Sequence, residues 1–149
     1  MRSITRIALI AATALAVGGV AVAQTAPGAN PVQTRQDGLK RMQDHMQAIQ
    51  AAVRAGGDMR PLSPRVDDMV TWFQGFPQHF PAGSDQPPSK ALPTVWSDRA
   101  GFEQRASDAV AAAQRLKVAV DSGDAANVGP ALQAMGGACG ACHRVHRGR

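Results

Sequence analysis

Three side chains able to bind a cofactor or a metal lie close together near the end of the chain, in the pentad Cys139-Gly140-Ala141-Cys142-His143. No other cysteine occurs in the sequence. On a helix, positions i, i+3 and i+4 project from one face, so the two thiols and the imidazole point the same way. Thiols one turn apart can reach the two vinyl groups on one edge of a haem, and the adjacent histidine can bind its iron. The pentad therefore predicts one covalently attached haem c with His143 as the iron ligand.

The same residue types serve other chemistries that the sequence supports less well. A thioredoxin-type thiol pair follows a strand at the start of a helix, within a βαβ pattern that is absent here. A zinc site needs a second pair of ligands, and the other histidines, which are His45, His79 and His146, have no paired spacing. A disulfide between cysteines three apart on one helix would constrain little. These sites remain alternatives to the haem.

The first 23 residues have the composition of a secretory signal peptide. Arg2 and Arg6 precede a run of small apolar residues over 7–20, and residues 21–23 (Ala-Val-Ala) offer a cleavage site. The run is short for a membrane span, which makes a retained anchor the weaker alternative. We expect residues 24–149 to form one exported, periplasmic domain without stable membrane insertion.

Charge and motif content exclude several classes of function. Loss of the first 23 residues removes two arginines and no acid, which lowers the formal charge from +5 to +3. Charges of both signs are interspersed, and no basic stripe with interleaved aromatic residues suggests a nucleic-acid partner. No catalytic triad, carboxylate pair or phosphate-binding loop is recognisable. The sequence therefore predicts a binding or electron-transfer protein and not an enzyme.

Helical periodicity accounts for most of the chain after Val32, whereas strand patterns are nearly absent. Four amphipathic segments are predicted, running from Val32 to Gly56-Gly57, from Ser63-Pro64 to about Gly75, from Pro93–Asp98 to Ser122-Gly123, and from Asp124 to Arg147. These segments predict an all-α, antiparallel four-helix bundle with covalently bound haem.

Proline placement marks the irregular parts of this bundle. Residues 75–95 contain five prolines and are predicted to form a long connection between the second and third helices. Pro130 lies six residues inside the fourth helix. It predicts either a kink or a short first turn ahead of the main segment.

Several motifs in this order resemble those of cytochrome c prime, the class II c-type cytochromes. They are RQDGLKRM in the first helix, FPAGSD in the long connection, ALPTVWSDRAGFEQRA at the start of the third helix, and GDAANVGPALQAMGGACGACHRVHR at the end. The resemblance covers nearly the whole predicted mature chain. The sequence departs from the family at Gln78 after Pro77, at Pro130, and at His146, where the family commonly has tyrosine.

The resemblance implies a function for the predicted haem. Leu39 occupies the position that faces the iron on the side away from His143, and leucine cannot bind iron. The implied iron is five-coordinate and high-spin, in a small apolar pocket that admits neutral diatomics such as NO and CO and allows single-electron transfer. The alternative is a six-coordinate, low-spin electron carrier with Met42 or Met46 as sixth ligand, or less favourably His45.

Individual cofactor contacts and partners are also implied by the resemblance. The cofactor-binding positions are Arg35, Gln36, Leu39, Met42, Phe102, Cys139, Cys142, His143 and Arg147. Arg35 is expected to meet a haem propionate, and Arg147 to lie near the proximal imidazole. The expected partners are small redox proteins, diatomic gases, and a second copy of the chain through the first two helices.

The remaining histidines and large aromatic residues are not expected to bind the cofactor. His79 and His146 are expected at the surface. Phe73, Trp72 and Trp96 are expected in the core.

Overall fold

The computed structural model describes residues 30–149, which form four long helices and one short one. These are α1 (Pro31–Ala55), α2 (Ser63–Gly75), α3 (Thr94–Ser97), α4 (Arg99–Asp121) and α5 (Ala125–His146), with 3-10 turns at Arg60–Leu62 and Phe76–His79. No β-strand occurs within this range. Helix α4 packs against α2 and α5, and α1 packs against α5 and α2. The predicted all-α four-helix bundle is thereby confirmed, whereas the predicted signal peptide, residues 1–23, lies outside the described residues.

Helix α1 is bounded by residues that suit its two ends. The Asn30 side chain accepts hydrogen bonds from the Val32 and Gln33 backbone N–H groups, the first at 2.9 Å, and Pro31 occupies the first helical position. At the other end, Gly56 adopts a φ of 74° while its N–H donates to the Ala52 carbonyl. The start and end of α1 therefore follow from local sequence.

The short connections at one end of the bundle are tied to each other. Asp58, after α1, forms a β-bridge with Asp124, before α5. The Met59 N–H donates to the carbonyl of Gly123 at 3.1 Å, and Gly123 needs a φ of 78°, which suits glycine. This end is therefore closed by backbone contacts.

The long connection crosses the opposite end and is held against the chain terminus. Ala91 forms a β-bridge with Arg147. The Leu92 N–H donates to His146 O at 3.0 Å, and the Gly148 N–H donates to Lys90 O at 2.8 Å. The proline-rich connection is irregular, as predicted, but its last residues are fixed beside the end of α5.

The predicted third helix is divided in two at Asp98. This residue has φ −118° and ψ 61°, and its carboxylate accepts the Gly101 N–H at 3.1 Å. A capping residue needs non-helical backbone, so Asp98 begins α4 and ends the short helix α3. Within α3, the Trp96 indole N–H donates to the Pro81 carbonyl at 3.0 Å and holds the long connection.

Helix α5 runs without interruption through Pro130, so the predicted alternative of a separate short first turn is wrong, whereas the predicted kink stays a prediction. It begins one residue later and ends one residue earlier than predicted. The Asp124 carboxylate caps it by accepting the Ala126 N–H at 2.9 Å. Pro130 is exposed and therefore leaves the inner face of α5 intact.

Small side chains on α4 shape the interior. Ala106, Ala109, Ala112 and Ala113 are all buried between α4 and its neighbours. Because alanine fills little volume, the bundle retains space between α1, α4 and α5. None of the helices within residues 30–149 is both long enough and apolar enough to cross a membrane.

Candidate functional site

A cavity of about 580 Å³ lies between α1, α4 and α5 and is bordered by the long connection. Its volume falls in the range of roughly 300–1,000 Å³ that is usual for cofactor and ligand sites. Its walls are mostly apolar, with a few basic side chains and two histidines. The small α4 side chains leave this space unfilled, and it is large enough to hold a cofactor.

All nine predicted cofactor-binding residues line this one cavity. Helix α1 contributes Arg35, Gln36, Leu39 and Met42, α4 contributes Phe102, and α5 and its end contribute Cys139, Cys142, His143 and Arg147. The structure thus brings together residues from opposite ends of the sequence. Their individual roles toward a cofactor remain predictions.

The two thiols lie in an apolar setting at the cavity wall. Cys139 and Cys142 are unpaired and partly buried. Burial raises the pKa of both, and that of Cys142 reaches about 11 because the neighbouring Cys139 adds to the effect. A thiol–disulfide oxidoreductase relies on a lowered thiol pKa. The raised thiol pKa values are therefore the opposite of what a redox dithiol needs. The apolar surroundings suit cysteines that are joined to an apolar group.

His143 stands beside these thiols at the same wall. Burial lowers its pKa, and the Arg147 cation lowers it further. The neutral imidazole favoured in this way is the form that binds a metal. No cluster of three His, Cys, Asp or Glu side chains able to hold an ion occurs in residues 30–149. A porphyrin brings its own nitrogen ligands and can bind to a protein through a single histidine.

Three apolar side chains of α1, Leu39, Met42 and Met46, line the cavity among the polar Arg35, Gln36, Lys40 and Gln43. Leu39 is half-buried, Met42 is buried, and Met46 lies one turn further along. The three side chains follow one another at spacings of three and four residues, so they share a helix face. Leu39 and the two possible thioether ligands, Met42 and Met46, therefore line the same cavity.

His45, by contrast, does not belong to this wall. Its Nε2 lies 2.9 Å from Asp68 Oδ2, and its Nδ1 lies 3.2 Å from an Arg65 guanidinium nitrogen. Because both ring nitrogens are engaged between α1 and α2, neither is free to bind iron. The third alternative for a sixth ligand is therefore wrong.

Arg35 is almost completely buried, with 3% of its surface exposed, and holds the long connection. One terminal nitrogen donates to His79 O at 3.3 Å and to Ser84 Oγ at 3.0 Å, and the other donates to Ser84 O and to Ser89 Oγ. The guanidinium also stacks over the Phe80 ring at 4.6 Å. Arg35 lines the cavity, so its contact with a propionate remains a prediction, but its first role is to anchor this connection to α1.

His146 is buried, which corrects its predicted surface position. Only 4% of its surface is exposed, and its ring lies edge-on to Phe102 at a centroid distance of 5.3 Å. Its Nδ1 is 3.3 Å from Thr94 Oγ1, which itself donates to Val145 O at 2.7 Å. Nδ1 must then be the donor, and Nε2 keeps its lone pair. The burial of His146 was not predicted because the segment that covers this residue comes from the irregular connection.

His79 is also not a fully exposed residue. Its ring stacks on the Trp72 indole at a centroid distance of 4.4 Å, and burial lowers its pKa. Trp72 and Trp96 pack against the core, as predicted, while Phe73 packs in the core and lines the cavity.

Further cavity residues were not anticipated from sequence. On α4 they are Arg105, Ala106 and Ala109, which lie at i+3, i+4 and i+7 from Phe102. That spacing is a helical face and could have identified them. Phe80 and Lys90 come from the long connection, where no periodicity points to a cavity.

Comparison with known proteins agrees with this geometry. The sequence model of the family described as "Cytochrome C'" matches residues 30–147. The cytochrome c' of Pararhodospirillum photometricum is 31% identical over 118 residues, which cover 78% of this chain and 94% of that protein. Cytochrome c-556 of Agrobacterium tumefaciens (strain II Chrys) is 31% identical over 122 residues, covering 80% and 98%.

A solved structure shows the same similarity in three dimensions. A ferrous variant of cytochrome c prime from Alcaligenes xylosoxidans, with bound NO, superposes with a TM-score of 0.72 at 26% identity. The similarity covers 80% of this chain and 94% of that one. Fold, cavity, cysteines and family match agree: the chain belongs to the cytochrome c' family, whose members carry covalently attached haem c.

Proposed function

We propose that this chain is a periplasmic haem protein whose iron is five-coordinate and high-spin, binds NO or CO, and exchanges single electrons. The observation that carries the proposal is the position of Leu39. This residue lines the same cavity as the Cys139–His143 pentad, on the helix that packs against α5. It offers no lone pair to a metal.

The residues of the pentad have separate tasks in this proposal. Cys139 and Cys142 each form a thioether with a vinyl group, which fixes the cofactor to the last helix. His143 supplies the protein ligand to the iron, and Arg147, whose N–H donates to His143 O at 3.3 Å, holds the end of the helix near that ligand. The bound haem supplies an iron that can take up one electron and bind one small molecule.

The α1 wall determines which small molecules can bind. Leu39 presents hydrocarbon, and Phe102 extends the apolar wall on α4. These two side chains give no hydrogen bond to water or to an oxyanion, whereas neutral diatomics need none. A relative of similar fold is known with bound NO, which supports the same ligand class here.

A second candidate is a six-coordinate electron carrier with Met42 or Met46 as sixth ligand. The observation in its favour is that both thioethers line the cavity. The chain is as similar to a cytochrome c-556 as to a cytochrome c', so the residue beside the iron must decide. In the favoured assignment both methionines fill irregular space in the core.

Absorption spectra of the ferrous protein with and without CO separate the two candidates. The full chain is produced in a host that attaches haem c, together with Met42→Leu and Met46→Leu variants. We expect a broad high-spin Soret band that sharpens on CO binding in all three proteins. A sharp low-spin band in the wild type, lost in one methionine variant, would establish the second candidate.

Export and pairing are parts of the same proposal. N-terminal sequencing of the protein from a periplasmic fraction is expected to begin at Gln24. Light scattering of the purified protein is expected to give a homodimer, through α1 and α2 as the family resemblance implies. Retention of the chain in the cytoplasm would contradict the proposed export. A monomer at all concentrations would contradict the proposed homodimer.

A further inference from the structure

Basic side chains are concentrated around the mouth of the cavity. Lys90, Arg144, Arg147 and Arg149, here called the basic rim, are all exposed. Lys90 and Arg147 also line the cavity. The β-bridge between Ala91 and Arg147 and the bond from Gly148 N–H to Lys90 O at 2.8 Å place the two sequence segments side by side. The rim is therefore one surface.

The rim has no acidic counterpart within its own segments. Residues 86–97 and 125–149 contain no Asp or Glu. No rim residue forms an ion pair within residues 30–149, where the nearby basic residues Lys40 and Arg105 pair with Asp44 at 3.2 Å and Asp108 at 3.0 Å. The neighbouring Asp98 is used to cap α4. The positive charge of the rim is thus left facing solvent.

At the opposite end of the bundle, carboxylates are paired with cations. Asp58 pairs with Arg60 at 2.9 Å, and Lys117 lies 2.5 Å from Asp121 and 3.6 Å from Asp67. Helix α5 has 22 residues and separates the two ends by about 30 Å at 1.5 Å per residue. The positive charge of the rim, which has no such pairing within residues 30–149, can therefore steer the approach of an acidic partner.

Two local explanations account for only part of the rim. Cations in the last turn of α5 stabilise the helix dipole, which explains Arg144 but not Lys90. Propionates of a bound haem would neutralise cations at the cavity wall, but Arg144 and Arg149 do not line it. The remaining charge is available to a partner.

We infer that the basic rim is the docking surface for an exported redox protein whose own cofactor is surrounded by acidic side chains. The inference rests on the proposed function, because exchange of electrons with the haem requires a partner at the cavity mouth. Val145, which is 44% exposed between Arg144 and Arg147, supplies an apolar contact within the charged surface. Small, charge-steered contacts of this kind are typical of transient electron-transfer complexes.

A protein is a better occupant than an anionic membrane. An interfacial helix binds a membrane through a broad exposed apolar face as well as through basic residues. The large apolar side chains exposed on the described residues are Val145 and Val118, the second on a different helix. The rim therefore has charge for docking but no apolar face for insertion.

Two variants with the same change of net charge test the inference. The rim variant is Arg144→Glu/Arg149→Glu, and the control is Arg54→Glu/Arg115→Glu, whose arginines are exposed outside the rim and form no ion pair within residues 30–149. If the rim variant does not fold, Arg144→Gln/Arg149→Gln replaces it, with Arg54→Gln/Arg115→Gln as the control of equal charge change. The probe is a polyglutamate peptide, with binding followed by amide NMR shifts of the holoprotein. Vesicles of phosphatidylcholine and phosphatidylglycerol are the membrane arm.

We expect peptide-induced shifts at residues 89–92 and 144–149, and an affinity that falls with added salt. The rim variant should bind at least about 10-fold more weakly than the control. Equal weakening in both variants would overturn the inference, because net charge alone would then explain binding. Retention on the vesicles with no peptide shifts would overturn it in favour of a membrane surface.

The reaction with small oxidants gives a second readout. Hexacyanoferrate(III), an anion, should oxidise the ferrous rim variant more slowly than the control. With tris(phenanthroline)cobalt(III), a cation, the rim variant should not be the slower of the two. Equal rates with the anion would count against docking at the rim. The peptide arm does not depend on the spin state of the iron, so a low-spin spectrum would refute the proposed function without deciding this inference.

Discussion

At the scale of single residues, the pentad shows which chemistry a local pattern can specify. The spacing of Cys139, Cys142 and His143 on one helix face follows from their positions in the sequence. The partial burial of the two cysteines does not, because it depends on α1 and α4, which come from distant parts of the chain. The structure adds that the setting raises the thiol pKa values and lowers that of the imidazole. These shifts disfavour a redox dithiol and favour a neutral metal ligand.

The identity of residue 39 should control the spin state. In Leu39→Met, a thioether replaces the hydrocarbon at the cavity wall and is expected to bind the iron. We predict a low-spin spectrum. We also predict a CO affinity that is lower by on the order of 10-fold or more, and each tenfold corresponds to about 1.4 kcal/mol. Met42→Leu is the matched control and should keep the wild-type spectrum. An unchanged spectrum in Leu39→Met would show that residue 39 does not face the iron.

Protonation of His146 should reduce stability at low pH. Burial lowers the pKa of His146 below its ordinary value, so the unfolded chain binds more protons than the folded one between the two pKa values. Stability is then complete above about pH 6.5 and is lost as the pH falls through the folded pKa. We predict that the decrease in Tm of the holoprotein from pH 7 to pH 5 is smaller in His146→Tyr. An identical decrease in both proteins would contradict this assignment.

At the scale of helices, sequence reasoning succeeded where a local signal sets the boundary. Asn30 and Pro31 at the start of α1, and Gly56 at its end, are examples of such signals. It failed at Asp98, where the predicted third helix is divided, because the short helix α3 ahead of it is held by a distant contact, the hydrogen bond from Trp96 to Pro81 of the long connection. It also left Pro130 undecided, because exposure of that residue on α5 is a property of the packed bundle.

The contact of α1 with α2 should depend on glycine at position 38. A Cβ at Gly38 would overlap the Trp72 indole ring, so Gly38→Ala is predicted to destabilise the protein by about 1–3 kcal/mol. At Gly137, a helical position with nothing within 4 Å of an added Cβ, Gly137→Ala is predicted to stabilise it by about 0.5–1 kcal/mol. Denaturant unfolding of both variants provides the measurement. Equal effects at the two sites would refute the packing argument.

The long connection should depend on Arg35. Replacement in Arg35→Met removes the donors to Ser84 and Ser89 and leaves the carbonyl oxygen of the buried Ser84 without a partner. We predict a loss of about 3 kcal/mol and faster amide hydrogen exchange over residues 84–91. Arg54→Met, at an exposed arginine, should have neither effect. Unchanged exchange in Arg35→Met would show that the connection is held by other contacts.

At the scale of the whole molecule, the cavity explains why so many separate motifs are present together. The four-helix arrangement and the pentad were predictable, since one follows from helical periodicity and the other from short-range spacing. The volume, the mixed lining and the basic rim were not, because each needs residues from the long connection, where no periodicity exists. Small residues on α4, such as Ala106 and Ala109, are what leave room for the cofactor.

The resonance Raman spectrum of the ferrous holoprotein at neutral pH tests the central claim most directly. The claim is that His143 binds the iron from one side and that Leu39 leaves the other side free. The predicted result is a set of five-coordinate, high-spin marker bands with an iron–histidine stretching mode that disappears when CO is added. Six-coordinate, low-spin marker bands without that mode, in protein carrying one covalently attached haem, would contradict the account.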